Sequence, residues 1–308
     1  MTSDDPDVIT PRPFQLFTGG TTLAATLHRT PEDLVEPQPA LLVTGSWLTV
    51  KEQMADLYAA RLAARGYTVF TFDFAGFGAS DGTPRQAELP ARKIDDIVAA
   101  ARAVSTLSFV RPGALGYLAI CASAQYVLRA IAAGAPITAY ASVAGWFHDA
   151  ATVAPFYGGA DGVAKRLDRA ADALALYQRT GEVRTVPAYD AGNEEAGMFL
   201  ELDYYASPAR GAVPTWVNEM AELSWLYWLT FDGLSAAPAV RAPGLFVHSD
   251  GCVLPENLRT VADATAGPTE VVWADGGTQI DFYDQDEQVS LAVDAADEHF
   301  RKHLPGGR

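Results

Sequence analysis

The most informative segment for predicting the fold of this chain is Leu115-Gly-Tyr-Leu-Ala-Ile-Cys-Ala-Ser-Ala-Gln-Tyr126. Its apolar first half, residues 115–120, predicts a buried strand, and residues 122–133 predict a helix that follows directly. Small residues surround the junction, which reads Ala119-Ile-Cys121-Ala-Ser123. A tight strand-to-helix turn with small neighbours presents the side chain at its tip, so the pattern predicts a nucleophile elbow.

Cys121 occupies the tip of this predicted turn and is our candidate nucleophile. The amino end of the following helix favours negative charge, so we expect it to lower the pKa of the thiol. Ser123 is an alternative nucleophile, but its neighbour at the flanking position, Gln125, is too bulky for such a turn. A cysteine that only packs in the core is the remaining interpretation.

Apolar strands and amphipathic helices alternate on both sides of this junction. The elements predicted from their periodicity are a hairpin at 14–17 and 21–28, strands at 40–44, 68–72, 137–143, 244–248 and 269–273, and helices at 50–65, 91–105 and 288–304. This alternation predicts an α/β fold with a mostly parallel central sheet and helices on both faces. Such sheets bind ligands at the carboxyl ends of their strands.

The alternation stops between residues 148 and 240, where aromatic residues are frequent. We predict four segments: a flexible tail at 1–13, a first core part at 14–147, a helical lid or cap insertion at 148–240, and a second core part at 241–308. Aromatic residues of the insertion either pack on the core or line an apolar pocket. Four residues are our candidates for substrate binding: Trp146, His148, Tyr204 and Trp225.

The composition limits the classes of function. The chain has 308 residues, with 38 acidic and 22 basic side chains and a formal net charge of −16. Phosphate backbones and acidic lipids would repel this charge, so we expect neither nucleic acid nor a membrane as partner. The acidic N-terminus lacks a secretory pattern and only two cysteines occur, which favours the cytoplasm. No Cys/His spacing predicts a metal site, and the glycine-rich loop at 76–82 lacks dinucleotide-binding spacing, so no cofactor is expected.

Five motifs in order carry a family resemblance. They are Thr44-Gly-Ser-Trp-Leu-Thr-Val-Lys-Glu-Gln53, Phe72-Asp-Phe-Ala-Gly-Phe-Gly-Ala-Ser-Asp-Gly82, Ile120-Cys-Ala-Ser123, Val247-His-Ser-Asp250 and Gly277-Thr-Gln-Ile-Asp-Phe-Tyr-Asp284. Together they resemble the α/β-hydrolase superfamily, and within it the dienelactone-hydrolase-like branch with a cysteine nucleophile. The chain is similar to the bacterial hydrolases and fungal polyketide transferases of that branch.

The resemblance implies a role for each matching residue. Cys121 corresponds to the nucleophile, and Asp250 to the acid that orients the catalytic base. The N–H of Ala122 corresponds to one oxyanion donor, and the loop after the first parallel strand implies a second donor from Ser46 or Trp47. Such donors stabilise the tetrahedral intermediate of acyl transfer.

One position departs from the family pattern, because Gln279 stands where the catalytic histidine is expected. An amide donates and accepts hydrogen bonds but does not shuttle a proton at neutral pH. A preformed thiolate needs no base for its attack, whereas release of the acyl group to water does, which favours transfer or rearrangement over hydrolysis. His148 is an alternative base, since it follows the strand next to the nucleophile helix.

Two functions therefore remain open on the sequence. The first is an enzyme that acts through Cys121 on an apolar ester, thioester or lactone, as hydrolase or acyl transferase; for it, the family resemblance implies a role in polyketide or secondary metabolism. The second is a non-hydrolytic cyclase or isomerase, or a small-molecule binding protein, in which Gln279 marks the loss of covalent catalysis. The expected partner is a small acyl compound, and the sequence leaves a homodimer open.

Overall fold

The computed structural model describes residues 11–30 and 36–306. Most of the predicted tail, residues 1–10, lies outside the described residues. The strands are β1 Arg12–Phe17, β2 Thr22–His28, β3 Gln38–Thr44, β4 Thr68–Phe72, β5 Val110–Ile120, β6 Ala139–Val143, β7 Thr185–Val186, β8 Met220–Ala221, β9 Gly244–His248 and β10 Thr269–Trp273. The first strand therefore begins at Arg12, inside the predicted tail.

Eight of these strands form one central sheet in the order β1-β2-β4-β3-β5-β6-β9-β10. The pairs β1–β2 and β2–β4 are antiparallel, and the five pairs from β4 to β10 are parallel. The predicted mostly parallel sheet is confirmed. Its central strands β3, β4, β6 and β9 are buried along their whole length, as continuous apolar runs require.

Helices cover the sheet in two layers. They are α1 Met54–Ala63, α2 Pro90–Ser105, α3 Ser123–Ala132, α4 Ala150–Val153, α5 Gly159–Thr180, α6 Asp203–Ala206, α7 Trp225–Trp228, α8 Pro255–Ala264, α9 Asp281–Asp284 and α10 Asp286–His303. Helices α1 and α10 pack on each other, and α2 and α3 pack on each other and on β5. Among the described residues, no helix has the length and apolar character that crossing a membrane requires.

Helix α1 begins at Met54, four residues after the predicted start. The preceding residues form turns instead, because the N–H of Lys51 donates to the carboxylate of Asp73, 2.8 Å away. The Lys51 ammonium also pairs with Asp73 at 2.9 Å, and both groups are buried. This pair ties the loop after β3 to the loop after β4, beside the carboxyl end of the sheet.

The elements between β6 and β9 form an insertion between two neighbouring strands. They run from Ala150 to Ala239, within the segment 148–240 that the sequence predicts as a lid. The longest is α5, with 22 residues, which packs on α7 and on a short 3-10 helix, Glu222–Ser224. The insertion follows directly after the strand that neighbours Cys121, so it is positioned to cover the carboxyl end of the sheet.

Candidate active site

The junction between β5 and α3 holds Cys121 in a left-handed backbone conformation, with φ +58°. This region is costly for a residue with a side chain, typically about 1–3 kcal/mol, and is retained where the surroundings enforce it. Here β6 enforces it, because the N–H of Cys121 donates to Val143 O and its carbonyl accepts from Trp146 N, each at 3.0 Å. The predicted elbow geometry is therefore present.

Ser123, the alternative nucleophile, is committed to the backbone. Its hydroxyl is buried, donates toward the carbonyl of Thr44 at 3.0 Å and accepts from the N–H of Ile120 at 3.1 Å. These contacts hold the start of α3 against the end of β3. Ser123 therefore supports the turn, and Cys121 is the side chain that reaches the cleft above it.

Four polar groups near Cys121 favour the charged form of its thiol. Two are backbone N–H groups, from Ala122 and Trp47, and two are hydroxyls, from Ser46 and Tyr283. Burial nevertheless raises the pKa of the thiol above its usual value and outweighs these contacts. Our expectation of a lowered pKa is wrong, because the cost of burying a thiolate exceeds the stabilisation that these four groups give it.

The two hydroxyls belong to a buried network at the floor of the cleft. Tyr205 donates to the hydroxyl of Ser46 at 3.0 Å, and Ser46 lies 3.1 Å from the hydroxyl of Tyr283. The amide of Gln279 donates to the Tyr283 oxygen at 3.2 Å. In this contact Tyr283 accepts, so its own phenolic hydrogen is not used by Gln279. That hydrogen is therefore free to point at Ser46 or at the sulfur.

Cys121 opens into a cleft of about 700 Å³, counted with its open mouth. The core contributes mostly groups at the floor, and the inserted segment contributes apolar walls. The lining comprises Ser46, Trp47, Cys121, Trp146, Phe156, Tyr157, Gly197, Met198, Phe199, Leu200, Leu202, Tyr205, Trp228, Val253, Gln279, Ile280 and Tyr283. Among these described lining residues none carries a charge, so the cleft suits an uncharged, apolar molecule.

The amino-acid sequence is similar to those of several known proteins. No protein-family model matches the chain. An uncharacterized protein of Pseudomonas aeruginosa, PA2218, is 27% identical over 307 residues, which span 92% of this chain and 78% of the relative. The acyltransferase drtE of Aspergillus calidoustus is 26% identical over 283 residues, 87% of this chain and 88% of the relative.

Solved structures decide the fold. That of PA2218 superposes with a TM-score of 0.82 at 24% identity, over 99% of this chain and 98% of that chain. The α/β hydrolase GrgF from Penicillium sp. sh18 gives 0.80 at 19% identity, over 96% and 99%. The dienelactone hydrolase from Anabaena variabilis gives 0.57 at 10% identity, over 96% and 99%. The chain has the α/β-hydrolase fold.

Gln279 lines the cleft of this α/β-hydrolase fold, and its side chain is hydrogen-bonded to three neighbouring residues. Its carbonyl oxygen accepts from the N–H of Val253 at 3.1 Å, and its amide donates to Ala144 O at 2.7 Å and to Tyr283. An amide has two N–H bonds, and both are used here. Gln279 therefore fixes the position of the Tyr283 hydroxyl beside the sulfur.

Asp250 does not orient Gln279, contrary to the role that the resemblance implies. It follows β9 as expected, but its side chain is 78% exposed and accepts from Arg259 at 2.9 Å. Arg259 in turn lies over the ring of Trp273, 3.9 Å from its centroid. The physical reason is that both N–H bonds of Gln279 are donated elsewhere, so it offers Asp250 no partner.

His148 is placed as a structural residue and does not line the cleft. It is buried, and burial lowers its pKa to about 4. Its Nδ1 accepts from the indole of Trp146 at 2.7 Å, so the proton resides on Nε2, which lies 2.9 Å from Trp228 O. With its one lone pair occupied, His148 is unavailable as a base.

Two other predicted substrate contacts lie behind the cleft wall. Tyr204 packs edge-on against Tyr205 and Tyr283, at centroid distances of 5.2 and 5.1 Å. Trp225 packs against Trp47, 5.9 Å away. Both support residues that line the cleft but do not line it themselves. Trp146 alone of the four candidates lies where the prediction placed it.

Sequence reasoning missed Tyr205, Trp228 and Tyr283, which all line the cleft. Tyr283 carried a signal, because it lies four residues after Gln279 and the intervening segment starts a helix, so both share a face. Tyr205 and Trp228 carried none, since their contacts with the core join positions far apart in the chain.

Proposed function

We propose that this chain is an enzyme that acts on apolar acyl compounds through Cys121. The observation that carries the proposal is the thiol itself. It is held at a strained elbow, its charged form is favoured by two neighbouring backbone N–H groups, and it lines an apolar cleft. This arrangement supports attack of sulfur on an ester, thioester or lactone carbonyl, with formation of an acyl-thioester.

The N–H groups of Ala122 and Trp47 are the proposed oxyanion donors. Both N–H groups favour the charged form of the Cys121 thiol, which supports a position close enough to stabilise an oxyanion on a carbon bonded to the sulfur. Each such donor contributes on the order of 10²–10³ in rate. Ser46, the other sequence candidate, contributes its hydroxyl to the network below and leaves the second backbone donor to Trp47.

Tyr283 is the proposed carrier of the thiol proton, since the thiol is neutral and Gln279 cannot accept a proton. As sulfur bonds to the carbonyl carbon, its proton passes to the Tyr283 oxygen, and the phenolic proton passes to the leaving oxygen, nitrogen or sulfur. The bond to the leaving group breaks, and Tyr283 ends as neutral as it began. This exchange avoids a phenolate, which suits a tyrosine whose pKa burial raises far above its usual value.

Release of the acyl group reverses the exchange. An acceptor gives its proton through Tyr283 to the departing sulfur. The cleft walls are apolar, which favours an organic alcohol, amine or thiol over water as that acceptor. We therefore propose acyl transfer or lactonisation as the main outcome and hydrolysis as the minor one. The relative drtE, named as an acyltransferase, supports this choice. A role in polyketide or secondary metabolism is proposed from the family resemblance of the motifs alone.

The test is intact-protein mass spectrometry after brief exposure to a panel of acyl esters and acyl thioesters. The wild type should gain the mass of the acyl group, and Cys121→Ala should gain none. Cys252→Ala is the matched control, because Cys252 is the other cysteine and is also buried. An adduct that survives in Cys121→Ala but disappears in Cys252→Ala would refute the proposal.

A second candidate is a cyclase, an isomerase or a binding protein that forms no covalent bond. It is favoured by Gln279 in place of a base and by the raised pKa of the thiol. Such a protein would convert or bind its ligand equally well as wild type and as Cys121→Ala. The expected cytoplasmic location, the small acyl partner and a homodimer remain proposals under either candidate.

A further inference from the structure

Three potential metal ligands meet at the edge of the sheet, outside the cleft. Glu270 lies on the edge strand β10, and His299 and His303 lie one turn apart near the end of α10. The ligand atoms of the three side chains all lie within 4.8 Å of one another. The sequence spacing did not reveal this group, because it requires β10 beside the last turn of α10.

The separations suit a coordination sphere better than a hydrogen-bond network. Oε2 of Glu270 lies 3.4 Å from Nδ1 of His299, and Oε1 lies 3.5 Å from Nε2 of His303; both distances are long for hydrogen bonds to a carboxylate. Ligands at about 2.0–2.1 Å from a tetrahedral Zn²⁺ lie roughly 3.3–3.4 Å from one another. The two histidine–carboxylate distances, each to a different oxygen of Glu270, are close to that edge length, and one ligand atom from each of the three residues lies within 4.8 Å of the others.

His299 is fully buried and has an acceptor opposite each ring nitrogen. Its Nε2 faces the carbonyl of Pro243 at 3.4 Å, and its Nδ1 faces Glu270. A neutral imidazole has one N–H, so whichever ring nitrogen carries it, the other directs a lone pair at an oxygen, either of Glu270 or of Pro243. A cation between Nδ1 and Glu270 resolves that repulsion, and a carbonyl behind the ring is the usual support for a ligating histidine.

We propose that Glu270, His299 and His303 bind a divalent transition metal, with Zn²⁺ as the best match. Two imidazoles and one carboxylate are a zinc-type ligand set that leaves a fourth position for water. The site would join the end of α10 to the edge strand. It lies outside the cleft, so it is independent of the function proposed there.

Lys302 competes with the metal. Its ammonium pairs with Glu270, but the side chain is 61% exposed and its stem is long enough to swing into solvent. Metal binding must displace this ammonium from the carboxylate. Removing the Lys302 ammonium should therefore raise the affinity for the metal. If the cluster is only an ion-pair network, the same change removes one ion pair and creates no affinity for metal.

The experiment uses the full chain without an affinity tag, freed of metal by a chelator. Zn²⁺ is titrated by calorimetry into the wild type, Glu270→Gln, His303→Gln and Lys302→Gln. We expect one equivalent of Zn²⁺ to bind the wild type, binding to be lost in the first two variants, and Lys302→Gln to bind more tightly. Thermal unfolding should show a Zn²⁺-dependent rise in Tm for the wild type that both ligand variants lose.

Co²⁺ provides a readout of geometry, since a tetrahedral site gives visible absorption bands that an octahedral aqueous ion lacks. Circular dichroism without metal checks that each variant is folded, and Glu270→Gln stands in if His303→Gln is not. Absence of stoichiometric binding to the wild type would overturn the proposal. So would binding that persists in both ligand variants but disappears in Cys121→Ala, because it would place Zn²⁺ at the thiol.

Discussion

The cleft has two unlike sides. Its floor is built by the core from Cys121 and from Ser46, Tyr283 and Gln279, whose side chains form a chain of hydrogen bonds through Tyr283. Its walls come largely from the inserted segment and present rings and aliphatic chains, such as those of Phe199. This difference indicates that the rate of the reaction and the preference for an acyl group depend on different residues. Floor substitutions should change rate, and wall substitutions should change which acyl group is accepted.

Replacing the sulfur of Cys121 is expected to lower the rate of adduct formation more than any other substitution. Cys121→Ser should be as inactive in adduct formation as Cys121→Ala, a loss on the order of 10³-fold or more, because a serine hydroxyl needs a general base. Among the described residues that line the cleft, none is a histidine or a carboxylate. Rates of adduct formation by mass spectrometry measure this. A Cys121→Ser variant that retains substantial activity would show that a base acts at the site.

Tyr283→Phe should have the next largest effect. It removes the hydroxyl proposed to carry the thiol proton, and loss of a general acid–base group costs about 10²–10⁴ in rate. Tyr205→Phe is the matched control, since Tyr205 belongs to the same network but donates to Ser46. We expect kcat to fall in Tyr283→Phe and to change little in Tyr205→Phe. Equal losses in both would mean that the network is only structural.

The raised pKa of Cys121 sets a pH dependence. The neutral thiol is the less reactive form, so alkylation by iodoacetamide should rise about tenfold per pH unit through neutrality, as long as the pH is below the thiol pKa. Cys121→Ala gives the background from Cys252, whose pKa burial raises to about 11. A rate that is already constant below pH 7 would contradict the burial argument and indicate a preformed thiolate.

Prediction from sequence succeeded where the signal is local. Strands β9 and β10 have the predicted limits, because an apolar run and its flanking turns define them without distant contacts. The elbow at Cys121 was predicted for the same reason. The partners of Asp250 and His148 were not, because Arg259 and Trp228 reach them only through the packing of other elements.

Phe199→Ala should have the smallest effect and should alter selection more than rate. Phe199 is a half-buried wall residue from the inserted segment, and its removal widens the cleft. We expect the ratio of kcat/KM values to shift toward longer or bulkier acyl groups by about 1 kcal/mol. This is the lower end of the discrimination that an apolar pocket gives per methylene group, and we expect the lower end because this cleft is open. Phe109→Ala deletes an equally half-buried ring that packs on Phe70 outside the cleft, so it controls for stability. A fall in the maximal adduct rate without a change in chain-length preference would show that the wall takes part in the chemistry, and the separation of the two sides would fail.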